Sequence, residues 1–210
     1  MNIQNLLTKI KQDSEILVWW KVEQVARGED IVNDPKKGER PWIIPETTGQ
    51  FLHDLIVKNN VTSVLELGTS IGYSTLWIAD ALNQNKGHVH TIEHSLNKIP
   101  VAKKYFQESG LENLITLHQG NIIDVLKSFP DNLKFDFVFM DADRGHYHEY
   151  FPLIRKHLTE GAVIVADNAG NMNARMQPFF ELLNQEGIPF NILDFDNGLL
   201  ITDPVVHHNN

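Results

Sequence analysis

The chain has 210 residues, 42% of them hydrophobic, no cysteine and a formal net charge of −9. That length and apolar content fit one domain with a sizeable core, and the missing thiols exclude disulfides and thiolate metal sites. The acidic balance disfavours a broad phosphate-binding surface, although a local patch can differ from the net.

No apolar run approaches the roughly 20 residues needed to cross a bilayer. The start, MNIQNLLTKIKQDSEILVWWK, lacks the unbroken apolar core and small-residue cleavage site of a signal peptide. Membrane association is therefore not expected, and the cytoplasm is the default location.

Residues 1–60 read as a helical cover with an interruption. Leu6, Ile10, Leu17 and Trp20 line one helical face, and GEDIVNDPKKGERP (28–41) is rich in turn formers. Thr47 with Gln50 three positions on forms a capping-box pattern that opens a helix into FLHDLIV. Trp19, Trp20 and Trp42 are expected to pack inside, the commoner use of tryptophan, rather than at an interface.

Over 61–203, short apolar runs alternate with helical spacing. The runs are TSVLEL (62–67), HVHTIE (88–93), LITLHQ (114–119), FDFVFM (135–140) and AVIVAD (162–167). Several are nearly continuous in apolar residues, as strands covered on both faces are. Between them, Leu76, Ala79 and Leu82, then Ala102, Tyr105 and Phe106, then Tyr147, Phe151, Ile154 and Leu158 keep helical spacing. Gly110 and Gly161 stand where those helices should end. Strand–helix alternation predicts an α/β sandwich with a mostly parallel sheet and helices on both faces. Near the end, FNILDFDNGLLITD (190–203) has two β-type runs meeting at Asp196-Asn197-Gly198, a hairpin signal that adds an antiparallel edge.

The first strand runs into a glycine-containing turn, VLELGTSIGYS (64–74), that opens a helix. Gly68 and Gly72 allow tight turning and close backbone approach. Ser70 and Tyr73 replace the second and third glycines of a dinucleotide fingerprint, so nicotinamide and flavin cofactors are disfavoured. Glu93 ends the second strand, where a carboxylate can accept from ribose hydroxyls. Glu66 adds negative charge beside the loop. Carboxylates there repel phosphates and suit a sulfonium, which points to S-adenosylmethionine. A plain tight turn is the alternative.

Asp141 and the pair Asp167-Asn168 each follow an apolar strand directly, so they emerge at the carboxyl edge where open α/β sheets bind ligands. Two carboxylates and an amide carbonyl are all-oxygen donors, suited to a hard cation such as Mg²⁺, Ca²⁺ or Mn²⁺. Taken singly, the first motif also reads as a charged turn paired with Arg144, and the second as an ordinary strand-end turn.

Four segments together, PETTGQFL (45–52), VLELGTSIGYST (64–75), FVFMDADRGHYHEYF (137–151) and VIVADNAG (163–170), resemble the metal-dependent class I O-methyltransferases. These include the catechol and caffeoyl-CoA enzymes and small bacterial relatives. The likeness covers roughly residues 42–202. It implies a Rossmann-like sandwich with a seven-stranded sheet, S-adenosylmethionine as cofactor, and metal ligands at Asp141, Asp167 and Asn168. It also implies cofactor contacts at Ile44, Glu66, Gly68, Ser74, Glu93, Gly120 and Asn121, with Asp141 near the methionine end. Pairing as a homodimer is expected on the same ground.

Where the family has lysine, this chain has Arg144. A lysine can act as a base after losing its proton; a guanidinium cannot. Asp141 and Arg144 are accordingly the candidate catalytic residues, with Arg144 limited to stabilising negative charge. Of His146 and His148, only one is expected to face the site. AGNMNARMQPFF after Asn168 lacks the aromatic residue many relatives carry. The expected acceptor is a small molecule with a catechol-like or vicinal pair of oxygens. Two other readings are a methyltransferase for the wobble hydroxyuridine of tRNA, with Lys36, Lys37 and Arg40 as its basic stretch, and a cofactor-binding homologue with weak catalysis.

Overall fold

The structure, a computed structural model, describes residues 2–26, 41–170 and 174–206, with the side chains of 15–26 excepted. The expectations for Lys36, Lys37 and Arg40 fall outside the described residues, and those for Leu17, Trp19 and Trp20 concern side chains outside the description.

Seven strands form one sheet in the order β3-β2-β1-β4-β5-β7-β6. The strands are β1 (Ser63–Leu67), β2 (His88–Glu93), β3 (Ile115–Gln119), β4 (Phe135–Met140), β5 (Leu158–Ala166), β6 (Phe190–Leu193) and β7 (Leu199–Thr202). The first five pair in parallel, and β7 joins β5 and β6 antiparallel. The sheet therefore reverses its order between β1 and β4, the switch point at which such sheets leave a crevice for ligands.

Helices α1 (Ile3–Ala26), α2 (Glu46–Lys58), α3 (Tyr73–Asn85) and α4 (Lys98–Ser109) pack on one face. Helices α5 (Ile122–Ser128), α6 (Tyr147–Arg155) and α7 (Gln177–Gln185) pack on the other. The period-2 alternation of a strand explains the near-continuous apolar runs. Val64, Phe137 and Phe139 face the first helical layer, whereas Leu65, Leu67, Val138 and Met140 face the second. Glu66 falls on the first face, fully buried beneath α3.

Helix α4 ends at Gly110 with a left-handed φ of 73°, as the sequence suggested. Four local expectations do not hold. Helix α6 stops at Arg155, and Leu158 already opens β5. Gly161 lies inside that strand at φ 79°, where the pairing shifts register so that Phe135 faces Leu158 but Phe137 faces Val163. An irregular strand start thus followed a helix with the same apolar spacing.

The capping box is not formed. Pro45, at φ −55°, precedes a helix that begins at Glu46, and the Thr47 hydroxyl donates to Asp196 rather than capping a backbone N–H. Trp42, expected inside, is 61% exposed.

Candidate active site at the strand tips

The loop after β1 is shaped by backbone contacts. Gly68 and Thr69 donate their N–H groups to the Ile92 carbonyl at 3.1 and 3.2 Å, which bends the chain toward β2. Gly68 has φ 99° and Gly72 φ 88°, a region closed to most side chains. A Cβ at Gly68 would overlap the backbone carbonyl of Asp141, so the loop rests directly on the tip of β4.

Under this loop lies a hydroxyl network. Glu66 accepts from Ser74 through one carboxylate oxygen (2.6 Å) and from Thr75 (2.5 Å) and Thr91 (2.6 Å) through the other. Burial pushes the Glu66 carboxyl above its ordinary range, and the three hydroxyls oppose that rise. The Glu66 and Ser74 side chains thus face each other inside the protein and brace the start of α3.

Glu93 is 5% exposed and accepts from three backbone N–H groups: Ser70 on Oε2, and His94 and Ser95 on Oε1. A carboxylate offers about four lone-pair positions. Oε2 therefore retains one for a further donor, which suits a single ribose hydroxyl better than two. Nearby, Gly120 donates its N–H to the Glu93 carbonyl at 2.9 Å, and the Asn121 side chain caps α5 by accepting from Ile123. The Ser70 hydroxyl is buried without a hydrogen-bond partner. An unpartnered hydroxyl beside a glycine cradle and a carboxylate with spare acceptor capacity fits a nucleoside-bearing cofactor.

Asp141 and Asp167 stand on neighbouring strand tips. Asp141 donates its N–H to Leu67 at 2.9 Å, and Asp167 donates to the Met140 carbonyl at 3.0 Å. Burial, then the charges of Asp167 and Glu66, push the Asp141 carboxyl up to about 7; Arg144 and Lys98 offset part of the rise. Asp167 is likewise raised, mainly by burial. Asn168 adopts φ 63° and donates its amide nitrogen to Asp167 at 2.8 Å, which makes its carbonyl oxygen the ligand-capable end.

Among the described residues, no three His, Cys, Asp or Glu side chains are grouped to hold a metal. The candidate set is two carboxylates and one amide. Its fit to a cation is electrostatic: desolvation, and for Asp141 the charge of Asp167, disfavour the ionised carboxylates, and a hard cation would restore them.

A cavity of ≈ 590 Å³ opens beside these tips, lined by Arg144, Asn168, Asp194, Asp196 and Asn197 among others. The hairpin between β6 and β7 forms one wall. It is anchored by Asp196, which accepts from Thr47 and from Thr48 (2.6 Å) on α2. A larger groove of ≈ 970 Å³ runs between α1 and α2 and includes Ile44 and Trp42, but neither Arg144 nor Asn168. Of the two, the smaller cavity is the one that carries strand-tip candidates, Arg144 and Asn168, on its wall.

His146 and His148 are not on its wall. His146 sits 3.2 Å from Asp143 and stacks on Tyr150, and His148 approaches Glu149. Sequence inspection missed Ser70, Thr91 and Lys98, whose roles depend on long-range neighbours. It also missed Tyr147, whose apolar spacing marked it only as core.

A family model described as O-methyltransferase matches residues 32–177. This chain belongs to that family. It is 38% identical over 122 residues to a catechol O-methyltransferase of Niastella koreensis, covering 57% of this chain and 55% of that protein. Against a caffeoyl-CoA O-methyltransferase of Populus kitakamiensis the identity is 32% over 128 residues, covering 60% and 54%. The chain thus spans about half the length of the curated relatives it matches. Among solved structures, an O-methyltransferase from Bacillus cereus superposes with a TM-score of 0.74 at 24% identity, covering 96% of this chain and 91% of its own. The O-methyltransferase TomG from Streptomyces achromogenes gives 0.68 at 26% identity, covering 77% and 81%. These likenesses agree with a mostly parallel seven-stranded sheet that closes on an antiparallel hairpin.

Proposed function

We propose that this protein is an S-adenosylmethionine-dependent O-methyltransferase, acting on a hydroxyl of a small acceptor that carries two vicinal oxygens. In this reading a divalent cation, Mg²⁺ by preference, is held by Asp141, Asp167 and Asn168. One observation carries the proposal: the Gly68 loop lies against the Asp141 carbonyl, so a cofactor cradle and a carboxylate pair share one edge of the sheet. Membership in the O-methyltransferase family supports the reaction type. The solved TomG structure is described as a complex with SAM, and the Bacillus cereus structure as one with SAH.

The cofactor's sulfonium supplies the methyl group. A cation held by Asp141, Asp167 and Asn168 would supply Lewis acidity toward the acceptor hydroxyl. Glu93 would accept from a ribose hydroxyl, and the Ser70 hydroxyl would gain a partner. Asp141, Asp167 and Asn168 would be the residues holding the cation. Arg144 lines the cavity and is close enough to lower the carboxyl values of both aspartates. A guanidinium does not serve as a base, so Arg144 would stabilise an acceptor oxyanion without removing its proton. Among the described residues no histidine lines the cavity, so in this reading the proton would pass to solvent. Asp194 and Asp196 give the cavity a negative rim, which disfavours a polyanionic acceptor such as tRNA.

Methyl transfer to a catechol, followed by chelation and add-back of Mg²⁺, Mn²⁺ or Ca²⁺, tests the reading. Turnover should vanish on chelation and return with metal. Unchanged turnover after chelation removes the metal from the proposal, and failure to methylate any vicinal diol or catechol removes the acceptor class.

A further inference from the structure

We propose that Tyr147 is a positioning residue: its hydroxyl, rather than its ring, locks Asp141 in register with Asp167. The inference rests on the reading that these two carboxylates share a cation.

Asp141 is the first residue beyond β4: its own N–H still bonds the Leu67 carbonyl, but the peptide that follows it lies outside the sheet pairing. Its preceding peptide contributes the Met140 carbonyl and its following peptide the Ala142 N–H. One oxygen binds both. The Tyr147 hydroxyl donates to Met140 at 3.0 Å and accepts from Ala142 at 3.1 Å. The same Met140 carbonyl accepts from the Asp167 N–H at 3.0 Å. A single buried node thus ties together the peptides flanking Asp141 and the backbone of Asp167.

The charge of Asp167 disfavours ionisation of Asp141, so the two carboxylates are not drawn together by their own electrostatics. The node supplies the opposing constraint before any cation arrives. Tyr147 reaches it from the first turn of α6, with its ring 1% exposed and edge-on to Phe179 at 5.8 Å. Packing fixes the ring, and the ring delivers the hydroxyl. Burial also raises the phenol far above its ordinary range, so the hydroxyl remains a donor at every working pH.

Tyr147→Phe deletes the oxygen and leaves the packing. Tyr150→Phe is the control, a hydroxyl removed one turn from the node on the same helix. Mn²⁺ binding is read by electron paramagnetic resonance of the free ion, without cofactor or acceptor, beside circular dichroism and thermal melting. Wild type and Tyr150→Phe should bind alike. Tyr147→Phe should stay folded and bind about tenfold more weakly, the scale of one buried hydrogen bond. In turnover, raised Mn²⁺ should restore Tyr147→Phe while its KM for cofactor stays unchanged.

Equal Mn²⁺ affinity in Tyr147→Phe and wild type overturns the proposal, as does an equal loss in Tyr150→Phe. If wild type and Asp167→Asn bind Mn²⁺ equally poorly, the metal reading fails and takes this inference with it. Should Tyr147→Phe not fold, amide exchange of the metal-free wild type decides. The Ala142 N–H should be protected, and fast exchange there refutes the node.

Discussion

A Cβ added at Gly68 would overlap the backbone carbonyl of Asp141, so position 68 has no room for a side chain. This contact joins the cofactor loop to the tip of β4, and it makes Gly68 vulnerable for two separable reasons. A left-handed φ costs an L-residue about 1–2 kcal/mol, and overlap with backbone cannot be relieved by a rotamer change. Gly68→Ala should lower the melting temperature and abolish S-adenosylhomocysteine binding by calorimetry. Retained binding would show that the loop can retreat from Asp141.

Arg144 is predicted to act through charge alone. Arg144→Lys keeps the charge and regains a group able to lose a proton, so kcat should be retained or rise. Arg144→Met should lower kcat by about 10²-fold, the usual scale for losing one electrostatic stabiliser. Complete loss in the lysine variant would instead assign Arg144 a geometric role that needs its planar fork.

Acid should weaken the fold through histidines far from the active site. His90 and His118 lie side by side on β2 and β3 with ring nitrogens 2.9 Å apart. Burial, followed by the neighbouring His118 and His88, lowers His90 to about 4, and burial lowers His88 and His118 as well. The unfolded chain titrates near 6.5 and so binds more protons in between. This stability is present above about pH 6.5 and drains away as pH falls toward about 4. Melting temperature should drop across that window, and His90→Phe, which can rest against Phe129 and Phe135, should flatten the drop.

Gly49, inside α2, should resist the substitution that normally stabilises helices. Alanine is favoured there by about 1 kcal/mol on propensity. A Cβ at this position would overlap the indole ring of Trp77. Overpacking of this kind costs typically about 1–3 kcal/mol. Gly49→Ala should therefore melt lower, by about 2–4 °C for each kcal/mol in a chain of this size. A higher melting temperature would show that Trp77 can move aside.

Much of this protein was legible in its sequence, because strand and helix periods are local. The apolar runs ending at Leu67, Glu93, Gln119 and Met140 are strands that end where the runs end, and Asp141 and Asp167 follow directly. The Asp196-Asn197-Gly198 turn was readable too, since backbone conformation there depends on the turn residues themselves. Local pattern misled where an accident of spacing mimicked a helix, at Leu158 and Gly161, and where a capping pattern met a stronger distant acceptor, at Thr47 and Asp196.

What only the tertiary structure decided is which groups share an oxygen or a charge. Nothing local says that Glu66 is enclosed by hydroxyls from α3 and β2. Nor does spacing reveal that Met140, Ala142 and Asp167 converge on Tyr147. Such contacts arise from strand order, which brings β1 beside β4 and β4 beside β5. The reason is physical: residue type sets what a side chain can do, whereas long-range packing sets the dielectric and the neighbours that determine whether it does.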